Sequence, residues 1–478
     1  MRFSEYFGLY RSQAYLDFVD VPLDTDLSVF VEPVAIKQLQ SSWGNELASL
    51  LQTFFDKVLS CIRSGNNDEA RRLLASLNES NEFHLGYSSG KSMGHGFGEG
   101  SAESVWTALT QSKASVTGLL RDLEDTALLI PGVGSDMISD AVCNILRGAF
   151  IKYTQDMCSY YGVTLTPNVA SGPIWNPQKG GWEQAYVALP VTEFGKVILV
   201  PKIVVRHRLV YDSAQYYRHY ILPHMQDEHI RMRSPLVDVL KDGRLNVTKK
   251  KLMEKYGKDK LAVAQQTVAR PHVLDEYREQ KANSPSSPLS QEQLAEVEGR
   301  DVPDIKPLIA SLKSLPPGNQ HAHEYEGLIE KIFTAIFYPS LCNPRKQHKT
   351  HGGRKIVDIT YSNEAKAGFF SWLSRHYTCP MIFVECKNYG KEIGNPEIDQ
   401  ISGRFSPSRG WVGILVCRSL KDKKRMVQRC IDTVNDQRGY VIVLDDGDVE
   451  EIVEEYASNE GSQDHTGLRK KWEEIVFS

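Results

Sequence analysis

The fold of the C-terminal half is decided by Met381-Ile382-Phe383-Val384-Glu385-Cys386-Lys387, an apolar run that ends in a carboxylate and an ammonium two positions apart. A short apolar run of this kind is typical of a buried strand. Because strand side chains alternate between the two faces, Glu385 and Lys387 share one face and Cys386 points to the other. We therefore expect an acid and a base side by side at the end of a buried strand.

A second segment adds another carboxylate. Gly352-Gly353 forms a turn that leads into a predicted strand, with Asp358 near its end. Mg²⁺ takes oxygen ligands and keeps several waters, so two carboxylates and a main-chain carbonyl suffice to anchor it. Phosphodiester hydrolysis needs stabilisation of extra negative charge and a deprotonated water, and a carboxylate-bound metal supplies both. The predicted metal site is Asp358, Glu385 and the carbonyl of Cys386.

Two further residues complete the predicted site. The ammonium of Lys387 can orient or activate the attacking water, or offset charge on the phosphate. The segment from Tyr325 to Phe333 predicts a helix with Glu326 in its first turn and an apolar face behind it. Glu326 is therefore a candidate to reach the metal.

Strands and helices alternate around these segments, which predicts an α/β domain with a mixed sheet flanked by helices. The predicted strands are Lys355 to Thr360, Met381 to Lys387, Val412 to Val416 and Tyr440 to Leu444. The predicted helices are Tyr325 to Phe337, Glu397 to Arg404 and Lys423 to Asn435. We assign residues 321–456 to this domain and 457–478 to a helical tail.

The rest of the chain predicts a different organisation. Residues 1–234 carry helical periodicity followed by an apparent hairpin, Tyr186 to Val191 and Lys196 to Val200, so we expect an α+β domain for recognition or regulation. Residues 235–320 are charged and broken by proline-rich turns, which predicts a partly helical linker.

Together, Glu326 on a helix, Gly353 to Asp358, and Phe383 to Lys387 resemble the PD-(D/E)xK, restriction-endonuclease-like superfamily, and Mrr-like restriction endonucleases most of all. That family often carries a glutamine on the following helix, and Gln400 stands there. The residue before the aspartate is Val357, where the family often has proline. The resemblance covers about residues 321 to 450.

The resemblance implies a Mg²⁺-dependent endonuclease, with Mn²⁺ as a substitute, that cuts DNA in restriction or anti-phage defence. Asp358 and Glu385 would ligate the metal, Lys387 would act on water or phosphate, and Glu326 and Gln400 would support the site. Since one such site cuts one strand, cleavage of both strands implies a dimer or higher homo-oligomer.

Basic residues near the site are candidates for phosphate contacts. They are Arg345, Lys346, Lys349, Arg354, Lys355, Lys423, Lys424 and Arg425. A solvated charged loop explains them equally well. For Glu385 and Lys387 the simpler alternative is a surface ion pair, which stabilises little.

Composition and charge restrict the possible classes of protein function but do not identify one. The formal net charge is -4, so any nucleic-acid contact must come from local clusters. The eight cysteines include no CxxC pair, which argues against a zinc ribbon or disulfide framework and favours the cytoplasm. No apolar run approaches membrane-span length. An RNA-cutting or DNA-repair nuclease, and a catalytically silent nucleic-acid-binding or scaffold protein of the same fold, remain as alternatives.

Overall fold

The computed structural model gathers the apolar side chains into two large hydrophobic cores. It describes residues 1–77, 80–86, 108–109, 113–284, 286–350, 355–458 and 461–477, and at residues 113, 116, 347–350 and 355–357 the description covers the backbone alone. The first core runs from Phe3 to Leu294 and also takes in Tyr338 and Cys342. The second runs from Ile309 to Ile475. The chain is mixed α/β, with a five-stranded sheet near the C-terminus.

The first core is mainly helical. Its first helices are Phe3–Tyr6 (α1), Pro33–Lys37 (α2), Ser42–Ser64 (α3), Asn67–Ala75 (α4), Lys113–Val116 (α5), Leu123–Leu129 (α6), Ser135–Ile145 (α7) and Arg147–Tyr161 (α8). In the longest, α3, the Ser41 side chain caps the start and Gly65 ends the helix in the left-handed region. Leu47, Leu51 and Phe54 form part of its buried face.

Short antiparallel strand pairs accompany these helices. They are Phe30–Val31 (β1) with Val205–Arg206 (β6), Thr166–Asn176 (β2) with Gly181–Leu189 (β3), and Val191–Thr192 (β4) with Gly195–Lys196 (β5). The predicted hairpin is therefore wrong in its extent: only its turn is paired, and the long hairpin lies earlier, in β2 and β3. The apolar run Val197 to Val200 is buried but forms no strand, so hydrophobicity alone misled the prediction.

Most of the segment predicted as a linker, residues 235–320, packs with the preceding helices against the first core, whereas its helix Lys306–Ser314 joins the second core. Ser213–Tyr216 (α9) continues through a π-helical turn into Leu222–Arg231 (α10), followed by the strand pair Asp238–Val239 (β7) and Leu245–Asn246 (β8). Then come Lys249–Tyr256 (α11), Lys260–Ala269 (α12), Pro271–Asn283 (α13) and Gln291–Glu298 (α14). Leu252, Leu274 and Leu294 from these helices are buried in the first core.

The second core surrounds one sheet. Its strands are Leu341–Thr350 (β9), Lys355–Asn363 (β10), Met381–Lys387 (β11), Val412–Cys417 (β12) and Tyr440–Asp445 (β13), in the spatial order β13-β12-β11-β10-β9. The three strands β11, β12 and β13 are parallel, whereas β10 is antiparallel to both its neighbours.

Helices cover both faces of this sheet. They are Lys306–Ser314 (α15), Ala322–Ile336 (α16), Gly368–His376 (α17), Asn395–Ser402 (α18), Lys423–Asn435 (α19), Asp446–Ser458 (α20) and Thr466–Val476 (α21). The predicted bounds of β11 and α19 are confirmed without change, and the other predicted strands and helices shift by one to three residues at their ends. The strand β9 was not predicted.

The two cores meet along α16 and β9. Arg11 forms a buried ion pair with Glu330 of α16, with 2.7 Å between Nη1 and Oε2. The main-chain N–H of Asn343 in β9 donates to Oδ1 of Asp17 (2.9 Å), and α8 packs against the same strand. The outer strand of the sheet is therefore covered by the first core. In the part of the chain that is described, no helix has the length and apolar character to cross a membrane.

Candidate active site

Two carboxylates face each other on neighbouring strands. Ile359 of β10 pairs with Val384 of β11, so one further step in the antiparallel register sets Asp358 opposite Glu385. The main-chain N–H of Cys386 donates to Oδ2 of Asp358 (2.8 Å). Burial raises the pKa of both carboxyls, and the charge of Asp358 raises the pKa of Glu385 further. The strand pairing thus holds two acids in one confined space.

Glu385 receives two donors on a single oxygen. The ammonium of Lys387 donates to Oε1 over 2.8 Å, and the amide of Gln400 in α18 donates to the same atom. Burial opposes charge on Lys387, but the neighbouring carboxylate of Glu385 raises the pKa of Lys387 overall. The other oxygen, Oε2, is buried and has no hydrogen-bond partner among the described residues. One carboxylate oxygen is therefore directed into the site without a bond.

Glu326 approaches the carboxylate pair from α16. Burial raises the pKa of Glu326, and the next cause is the charge of Asp358. His323, one turn earlier, lies 3.7 Å from Oε2 of Glu326 through Nδ1. The helix is anchored by Tyr325, whose hydroxyl donates to Oδ1 of Asp446 (2.8 Å) at the start of α20. Glu326 therefore adds negative charge beside Asp358 without bonding to it.

These oxygens fit a magnesium site of the two-carboxylate kind. Among the residues that the structure describes, no group of three or more His, Cys, Asp or Glu side chains is arranged to hold a metal. The predicted role of Glu326 at the metal remains a prediction: its charge acts on Asp358, but it does not complete a three-ligand group among these residues. Mg²⁺ commonly binds through one or two carboxylates and keeps its waters. The unpartnered Oε2 of Glu385 beside Asp358 matches that need, because a cation would satisfy it and relieve the repulsion between the two acids.

One site residue was missed by the sequence analysis. Arg404 follows the end of α18 and is only 7% exposed. Its charge favours the ionised forms of both Asp358 and Glu385, lowering their pKa values against the effect of burial. A weak signal was present, since Arg404 stands four residues after Gln400 in the helix predicted from Glu397 to Arg404, although α18 itself ends at Ser402.

The predicted phosphate contacts that lie in described elements are on α19 and on the strands β9 and β10. Lys424 and Arg425 are exposed at the start of α19, which follows β12 at the sheet edge where β11 ends. Lys423 is instead held by Asp445 and Asp448, at 3.0 and 3.1 Å, so its charge is compensated within the chain.

On β9, Arg345 is exposed, and the Nζ of Lys346 lies 5.1 Å from the ring centre of Tyr160. The backbones of Lys349 and Lys355 lie in β9 and β10, while their side chains, and the whole of Arg354, are outside the described residues. Arg345, Lys424 and Arg425 therefore remain exposed, whereas Lys346 and Lys423 have contacts within the chain.

Comparisons with known proteins bear on the other half of the chain. Residues 8–212 are similar to a family described as a domain of unknown function, DUF8370. This stretch lies within the first core and ends before the carboxylate site. No curated protein and no solved structure matches the chain.

Proposed function

We propose that this chain is a Mg²⁺-dependent endonuclease of the PD-(D/E)xK, restriction-endonuclease-like type, similar to Mrr-like enzymes, with DNA as its substrate. The observation that carries the proposal is the meeting of Asp358, Glu385, Lys387 and Gln400 on one face of the mixed sheet, at its inner strands β10 and β11. These residues are spread over 43 positions of the sequence, and a surface ion pair requires no such convergence.

Burial strengthens the argument against the simpler alternative. The Glu385 and Lys387 side chains are 1% and 10% exposed, so this is not a solvated surface pair. Burying charged groups is costly, and two acids beside each other add repulsion. Clusters of this kind concentrate at functional sites because chemistry requires them there.

The side chains divide the work of hydrolysis. Mg²⁺ held by Asp358, Glu385 and the carbonyl of Cys386 would supply positive charge against the phosphate and lower the pKa of a bound water. Lys387 is positioned to hold the attacking water or a phosphate oxygen, because its ammonium already lies at the carboxylate. Gln400 keeps Glu385 oriented by donating to Oε1. Glu326 adds negative charge that favours a cation at Asp358.

The direct test is cleavage of plasmid DNA, and in parallel of structured RNA, by purified protein with Mg²⁺. We expect DNA cleavage that EDTA abolishes, and a loss of about 10²-fold or more in Asp358→Ala and Lys387→Ala. The matched control is Asp399→Ala, which removes an exposed carboxylate from the helix that carries Gln400. Cleavage of RNA but not of DNA would instead indicate an RNA-cutting enzyme.

Two results would contradict a nuclease assignment. One is no cleavage of either nucleic acid by the wild type with Mg²⁺ or Mn²⁺. The other is equal cleavage by wild type and Asp358→Ala, which would point to a contaminating activity. The proposal also includes a dimer when both strands are cut, and sedimentation with and without a DNA duplex measures that state directly.

A further inference from the structure

Arg404 holds a buried guanidinium that makes no hydrogen bond within the described part of the chain. Its backbone is fixed, since its N–H donates to the carbonyl of Ile401 (2.9 Å) and its own carbonyl accepts from Nη2 of Arg409 (3.0 Å). The Nε atom is fully buried without a partner. The backbone at Arg404 is therefore fixed, while the guanidinium donors stay unused within the described part of the chain.

Other buried arginines of this protein behave differently. Arg147 and Arg206, which are 3% and 6% exposed, each donate several hydrogen bonds to neighbouring side chains and carbonyls. Leaving a buried charge without such bonds is costly. Although Nε of Arg147 is also buried without a partner, both of its Nη atoms donate hydrogen bonds. The contrast indicates that Arg404 is placed for a group that the described residues do not supply.

The surroundings define the chemistry of that group. Thr360 pairs directly with Phe383, so its side chain shares a face with Glu385 and Lys387, and the Phe383 ring packs against Phe405 at 5.6 Å between ring centres. On this face, Oγ1 of Thr360 and Oε2 of Glu385 are also buried without partners among the described residues. Arg404 lies close enough to Asp358 and Glu385 for its charge to lower the pKa of both carboxyls, so unsatisfied donors and acceptors occur near one another.

We infer that Arg404 binds the phosphate group whose ester bond is cut, an inference that rests on the proposed function. The planar fork of a guanidinium matches two phosphate oxygens, which an ammonium cannot do. Lys387 gives one of its three N–H groups to Glu385, whereas Arg404 uses none of its guanidinium donors within the described part of the chain. Arg404 thus adds a second positive group that can meet the phosphate beside Lys387, and the carboxylates hold the cation.

The kinetic test compares Arg404→Ala and Arg404→Lys with the control Arg438→Lys. Arg438 is an exposed arginine that pairs with Asp399 of α18, the helix that ends just before Arg404. We expect kcat/KM to fall by about 10²–10³-fold in Arg404→Ala, the effect of removing a donor to developing charge. Lysine should restore only part of it, and added guanidinium ion should partly rescue the alanine variant. Unchanged kinetics in Arg404→Ala, or full activity in Arg404→Lys, would overturn the inference.

A second measurement separates this inference from the nuclease proposal. The Nε–H resonance of Arg404, identified by its loss in Arg404→Lys, is followed by NMR while inorganic phosphate and then a short DNA duplex with Ca²⁺ are added. A shift with both ligands supports phosphate binding even if the wild type cleaves nothing, in which case only the nuclease proposal fails. A resonance that neither ligand moves rejects Arg404 as a phosphate ligand, whatever the cleavage assay shows.

Discussion

Replacing Arg11 by methionine should destabilise the protein by about 3–5 kcal/mol, the cost of leaving a buried partner charge uncompensated. Glu330 is fully buried and Arg11 is 12% exposed, and their charged atoms lie 2.7 Å apart. At an effective dielectric constant of about 20, charges at this distance attract by about 6 kcal/mol, which desolvation of both groups offsets in large part. Loss of one partner removes the attraction and keeps the desolvation of the other.

The assay is a double-mutant cycle in urea, followed by tryptophan fluorescence and far-ultraviolet circular dichroism. Arg11→Met leaves the buried charge of Glu330 without a partner, and Glu330→Gln removes that charge. The double variant should therefore recover most of the lost stability, with a coupling energy of about 2 kcal/mol or more. Glu330 lies one helical turn from Glu326, so Arg11→Met should also lower nuclease activity. A cost below about 1 kcal/mol for Arg11→Met, or strict additivity in the double variant, would refute this account of the contact between the cores.

Three further outcomes are expected. Burial lowers the pKa of His465 to about 4, so the unfolded protein takes up a proton on this side chain at a higher pH than the folded protein does. About 3 kcal/mol of stability should therefore be lost as the pH falls from about 6.5 to 4. His465→Asn should remove this pH dependence from the free energy of unfolding, measured by urea titration at several pH values. In Gly413→Ala the new Cβ would lie 2.6 Å from Cδ1 of Ile401 in α18, so we expect the free energy of unfolding to fall by about 1–3 kcal/mol and the activity to weaken. Gly181→Ala, whose new Cβ would meet open space, should change neither the stability nor the activity. Mg²⁺ at about 100 times its Kd should stabilise the wild type by about 2.7 kcal/mol in thermal unfolding, and an equal gain in Asp358→Ala would contradict binding at this carboxylate.

The elements predicted well from sequence are those whose pattern is local. The apolar run of β11 and the helical periodicity of α19 determined both ends of those elements, because burial on a sheet or helix face leaves a regular spacing. The strand β9 was missed because Arg345 and Lys346 suggested a charged loop. An outer strand tolerates such residues, so its polarity resembles that of a loop.

The site was predictable to the extent that its residues follow a motif. Asp358, Glu385, Lys387 and Gln400 do come together, whereas Glu326 approaches without forming a ligand group. Arg404 was missed because an arginine at the end of a predicted helix is usually exposed, and only the fold shows that its Nε is buried without a hydrogen-bond partner among the described residues. Side-chain burial depends on packing between distant segments, which no local pattern records.

The covering of β9 by the first core has a consequence for any attempt to isolate the sheet domain. Asp17 accepts a hydrogen bond from the N–H of Asn343, and α8 packs against the same strand, which has a strand neighbour on one side only. A fragment that begins after α14 would lose this cover and present an open ladder of amides and carbonyls to other copies of itself. We expect such a fragment to aggregate. In the intact chain, the segment similar to DUF8370 would then also protect the sheet domain from self-association.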